Sequence, residues 1–146
     1  MSIRFLFIAI ILISGSILRV DDLKAQCNPG ELAENCISQL DTNFHFLKSY
    51  ELDGLNGEKE MIEHSYVLTR STDYLINLCS DAETEMDIAI EIFDSNRKSV
   101  ASSKTDSLLN SSLEFDCRVT GIYYLQYTFI DSQSHCGASA IGFKSD

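Results

Sequence analysis

The sequence predicts an all-β fold, an antiparallel sandwich of about seven or eight short strands entered through one short helix. Three observations carry that prediction. Apolar and β-branched residues recur at period two in short runs, as in Ile88, Ile90 and Ile92 or Tyr123, Leu125, Tyr127 and Phe129. Clusters of Asp, Asn, Ser and Gly separate the runs at the spacing of turns. Helical spacing occurs once, near the start of the domain.

Taken in order, Asn28 is placed to cap a helix, with Pro29 at its first position and Glu31 at the third, where a capping box closes. Leu32, Ala33, Cys36, Ile37 and Leu40 then keep helical spacing, which predicts a helix over 29–40. After Asp41 the period changes to two: Phe44, Phe46, Lys48 and Tyr50 alternate with His45, Leu47, Ser49 and Glu51, and 53–57 supplies a turn. Further strands are expected at 65–69, 74–78, 86–93, 113–119, 122–130 and 136–143. Reversals fall at 94–96 and 131–134, and the Ser-rich stretch 99–112 reads as an exposed connection flanking a short strand around Val100. Residues 122–130 carry no charge and no proline, a self-associating pattern that belongs at the centre of a sheet.

Arg4, the apolar run 5–13 and the small residues Ser14, Gly15 and Ser16 have the order of a secretory leader, too short to span a bilayer. Residues 1–25 are therefore expected to be a signal peptide and 26–146 a single domain, with cleavage after Ser16 or Ala25 both open. Gln26 stands where a lipobox wants a small residue, which disfavours lipidation of Cys27. Cleavage after Ala25 takes three basic and two acidic residues from totals of 11 and 22, leaving a net charge of −12. Such a chain repels nucleic-acid phosphates and anionic membrane surfaces, and no stable membrane insertion is expected once the leader is gone. The five cysteines, in an oxidising compartment, are expected to form bridges. The preferred arrangement joins Cys27 to Cys36 and pairs two of Cys79, Cys117 and Cys136.

The run Asp87-Ile-Ala-Ile-Glu-Ile-Phe-Asp94 and the later Gly121-Ile-Tyr-Tyr-Leu-Gln-Tyr127, preceded by Tyr66-Val-Leu68 and Tyr74-Leu-Ile-Asn-Leu78, resemble the bacterial pre-peptidase C-terminal domain over residues 60–143. That resemblance implies a jelly-roll-like sandwich and no activity. The chain departs from the pattern in its cysteines and at the turn after Asp94, where Asn96 and Arg97 stand in place of a glycine. A short helix before a cysteine-bearing sandwich also resembles small exported proteins of Bacteroidetes-type bacteria.

No Gly-x-Ser-x-Gly elbow, CxxC pair or HExxH motif is present. His135 beside Cys136 is read as a surface histidine next to a half-cystine, since neighbours on a strand point to opposite faces. Asp81, Glu83, Glu85 and Asp87 alternate with small or apolar residues; extended, they present four carboxylates on one face, a solvated acidic edge or a weak calcium site, and no other cofactor is implied. With Tyr123, Leu125, Tyr127 and Phe129 in the core, Tyr124, Gln126 and Thr128 face outward as a binding surface. The expected function is a non-catalytic binding or accessory domain, secreted, periplasmic or at the cell surface, that presents a sheet face or loops to protein or carbohydrate. A small secreted enzyme or an enzyme inhibitor is the alternative.

Overall fold

A computed structural model describes residues 26–145, so the expected leader lies outside the described residues. Helix α1 (Pro29–Ser38) is followed by strands β1 (His45–Asp53), β2 (Met61–Leu68), β3 (Thr72–Ser80), β4 (Ile88–Phe93), β5 (Ser99–Ser102), β6 (Ser112–Cys117), β7 (Gly121–Phe129) and β8 (Cys136–Ser145). A short 3-10 turn, Leu55–Gly57, joins β1 to β2. Pairing is that of a long hairpin folded about its middle: β1 with β8, β2 with β7, β3 with β6 and β4 with β5, all antiparallel. Rolling that hairpin brings β8 onto β3 and β7 onto β4. Two four-stranded sheets result, β1-β8-β3-β6 and β2-β7-β4-β5, the strand order of a jelly roll.

The core lies between the sheets and follows the period-two pattern. Ile88, Ile90 and Ile92 of β4 and Leu125 and Tyr127 of β7 are fully buried, facing Tyr74, Ile76 and Leu78 of β3 and Ile141 of β8. A polar pair crosses it, where Ser139 Oγ donates to Tyr127 Oη at 2.7 Å. At Gly137 an added Cβ would lie 2.1 Å from Ile88 Cδ1, so a side chain there would force the sheets apart.

Among the described residues a third layer covers one sheet only. On β8 the outward residues are Cys136, Ala138, Ala140 and Gly142, small enough for α1 to lie close, and Ala33 and Cys36 face them from the helix. Asn28 caps α1 as expected, accepting from Glu31 N at 3.4 Å, while the Asn28 side-chain amide donates back to the Glu31 carboxylate at 3.1 Å.

Several expectations are corrected. The disulfides are Cys27–Cys136 and Cys36–Cys79, with Cys117 free and buried, so the Cys27 to Cys36 bridge does not form and Cys117 pairs with nothing among the described residues. The reason is helical geometry: Cys36 lies seven residues along the rod from Pro29, a rise of about 10 Å, whereas bridged Cα atoms sit about 5.5 Å apart. The observed pairs have Cα separations of 5.4 and 5.6 Å. In β1 the alternation breaks at a bulge between Phe46 and Lys48, which leaves Phe46 on the outer face and brings Lys48, Tyr50 and Leu52 to the inner one. The helix ends at Ser38, and β2 begins four residues before its expected start, at Met61.

Candidate functional site

The outer face of β2-β7-β4-β5 has no covering layer among the described residues, and it carries the sequence-derived binding residues. Tyr124, Gln126 and Thr128 point outward from β7, as the burial of Tyr123, Leu125, Tyr127 and Phe129 requires. Gln126 pairs across to Glu63 on one side and Glu91 on the other, and Tyr124 to Ser65 and Phe93. Around this polar centre stand three exposed apolar side chains, Met61, Val67 and Ile122, at 49%, 57% and 49% exposure. Apolar groups left in water beside hydrogen-bonding ones are the mixture a protein interface uses.

Arg97 completes the face; the sequence marks it only as standing, with Asn96, where the turn after Asp94 wants a glycine. The β4–β5 turn closes when Asp94 Oδ1 accepts from Asn96 N at 2.8 Å and Lys98 N at 2.9 Å. Arg97 takes the left-handed position that a glycine usually fills, with φ of 62°. From there its guanidinium carbon stacks 3.6 Å over the Tyr124 ring, and Nη1 pairs with Glu63 at 2.7 Å. That hydrogen bond to Glu63 is the main cause raising the Arg97 pKa. One consequence is chemical: a face of the Tyr124 ring that would stack on a sugar is already occupied by Arg97.

At one end of the sandwich the β3–β4, β5–β6 and β7–β8 loops enclose an open groove of about 970 Å³ lined by Asp81, Glu83, Glu85, Asp87, Asp106 and Asp131 with Lys104. The expected extended acidic face is not formed here. Residues 81–87 are a loop, and their carboxylates diverge in role. Asp87 is buried and accepts from the hydroxyls of Ser80 and Ser132, and Asp81 accepts from Ser134, so these two tie the β3–β4 loop to the β7–β8 loop. Glu83 and Glu85 remain exposed. Among the described residues no group of three or more His, Cys, Asp or Glu is arranged to hold a metal ion.

The histidines are dispersed. His135, expected at the surface, is half-buried: its ring packs on Phe129 with centroids 5.3 Å apart, it crowds Gly54 and Gly57, and its Nδ1 is buried. Its neighbour Cys136 is a half-cystine, as expected. His45 is exposed on β1. His64 faces inward at the mouth between β1 and β2, stacked on Tyr50 at 4.1 Å and edge-on to Tyr127 at 6.2 Å, with Nε2 buried and unpartnered among the described residues. Burial, and then the charge of Lys48, push the His64 pKa down. Tyr50 is pushed up, by burial first and then by Tyr66.

Two disulfides place the protein in an oxidising compartment, outside the cell or in the periplasm. No helix among the described residues is long and apolar enough to cross a membrane.

No family model and no curated protein matches this chain. Among solved structures it is similar to the crystal structure of Aeromonas hydrophila PliG, a periplasmic lysozyme inhibitor of g-type lysozyme. The TM-score is 0.45 at 10% identity, with 73% of this chain and 92% of that one covered.

Proposed function

We propose that this is an exported, non-catalytic protein-binding domain whose partner docks on the open face of β2-β7-β4-β5. The observation that carries this reading is the asymmetry of cover: α1 lies over one sheet, while Met61, Val67 and Ile122 stand exposed around Tyr124, Gln126 and Thr128 on the other. Protein is favoured over carbohydrate because Arg97 occupies the Tyr124 ring face. The net charge of −11 for the chain favours a cationic partner through long-range steering. The strand order, with β4 and β7 at the quoted motifs, also supports kinship with the pre-peptidase C-terminal domain. Inhibition of a secreted enzyme is one form that such binding takes, and a g-type lysozyme is a ready first enzyme to assay.

The test is photocrosslinking in the native host from a reactive residue substituted at Gln126, with the same residue at Glu34 on the exposed side of α1 as comparison. Crosslinks to another protein from Gln126 and not from Glu34 are expected. Crosslinks from Glu34 alone, or from neither position, would remove the open face as the binding surface.

A further inference from the structure

We propose that β2 is a self-pairing edge: a second copy of this chain adds to it antiparallel, with the two-fold axis at His64, joining two open sheets into one of eight strands. An edge strand offers a row of unpaired backbone groups, and natural proteins block most of these by charge, bulge or brevity. The four edges here are β1, β6, β2 and β5. β1 is bulged between Phe46 and Lys48 and carries that lysine inward. β5 has four residues. β6, paired with itself about Phe115, sets Glu114 opposite Asp116, a like-charge pair.

β2 is neither bulged nor short, and its one carboxylate, Glu63, is already paired with Arg97. It runs eight residues without proline and pairs with β7 in unbroken register. Because side chains alternate, a strand added to a two-sided sheet must keep inner residues beside inner ones, so a self-pairing axis passes through a residue and not between two. An axis at His64 sets Met61 against Val67 and Glu63 against Ser65 on the outer face. The two exposed apolar residues of β2 then cover each other, and the strand's one carboxylate, already paired with Arg97 at 2.7 Å, meets a hydroxyl. Moving the axis to Ser65 would instead put Glu63 against Val67. The acidity of each copy opposes approach, so association strengthens as salt screens it.

Sedimentation of the secreted protein with both disulfides formed tests this directly. The expected mass is twice that of one chain, with a dimer fraction that grows with concentration and with salt. M61K/V67K sets lysine against lysine across the axis and is expected to sediment as a monomer that melts where the wild-type protein does at concentrations too low for the dimer. M61K/V67E sets opposite charges against each other in this register and is expected to restore the dimer. Hydrogen exchange on the unmutated protein reads the same contact: β2 amides gain protection with concentration while β6 amides do not. A wild-type protein monomeric up to about 1 mM, or a dimer that M61K/V67K leaves unchanged, would overturn the proposal.

Discussion

The two sheets share one pairing scheme and differ in what lies outside them. On the central strand β8 the outward side chains shrink to Ala138, Ala140 and Gly142, and α1 fills the space, fixed by Cys36–Cys79. On the equally central β7 the outward positions hold Ile122, Tyr124, Gln126 and Thr128, and no element covers them among the described residues. Size at alternate positions of a central strand therefore separates a face built to receive the chain's own helix from a face left for something else. The closed face is stabilised by covalent and close-packed contacts that tolerate little change, and the open face is held from beneath and tolerates much.

The largest test of that contrast removes the clamp. C36A/C79A, which opens a loop spanning 43 residues, is expected to lose about 4 kcal/mol in urea denaturation. A loss under about 1 kcal/mol would mean that packing alone holds α1 in place. Gly142→Ala comes next, at about 1–3 kcal/mol, because its Cβ on the covered face would meet Phe44 Cβ at 2.9 Å and Leu40 Cδ2 at 3.4 Å. Gln126→Ala on the open face is expected to stay within about 0.5 kcal/mol, and an equal cost at both positions would dissolve the distinction.

A smaller effect is set by pH. His64 lies between the sheets with its pKa held below the ordinary histidine value of 6.5, so the unfolded chain takes up a proton that the folded one resists. Stability from this group is complete above about pH 6.5 and declines as pH falls toward the lowered folded value. Melting temperature should therefore drop between about pH 7 and pH 5.5, and less in His64→Phe, which keeps a ring against Tyr50 and Tyr127. Equal drops in both proteins would show that His64 titrates as freely folded as unfolded. The smallest effect is at Arg97, where Arg97→Gly relieves the left-handed backbone and Arg97→Ala does not, while both lose the Tyr124 and Glu63 contacts. Melting should rank Arg97→Gly above Arg97→Ala.

Much of this fold is legible in the sequence because period-two alternation fixes which side chains are buried. Ile88, Ile90 and Ile92, and the alternate residues of β7, lie where that pattern places them, and β7 takes the central position that its uncharged run demands. The bulge in β1 is invisible to the same reasoning, since one extra residue reverses the faces without altering composition. The acidic alternation at 81–87 misleads because Asp87 and Asp81 are held by Ser80, Ser132 and Ser134, contacts that the rolling of the chain creates and local spacing does not reveal. The contacts of Arg97 were hidden for the same reason, since its partners lie on β2 and β7, although its place at a glycine position of the turn was legible. Of the bridges only a negative was within reach, that the helix expected over 29–40 holds Cys36 away from Cys27; the partners Cys136 and Cys79 are set by the rolled strands.

The native bridges span 43 and 109 residues, and the second waits on β8, the final strand of the roll. During export Cys27 and Cys36 emerge close together, before the helix is packed, and closing their short loop is the quicker reaction. Oxidation ahead of folding thus leads toward the wrong pair, and Cys117 adds another competitor until it is enclosed. From that wrong pair the native bridges are reached only by thiol–disulfide exchange, in which a thiolate attacks one bridge as another is released.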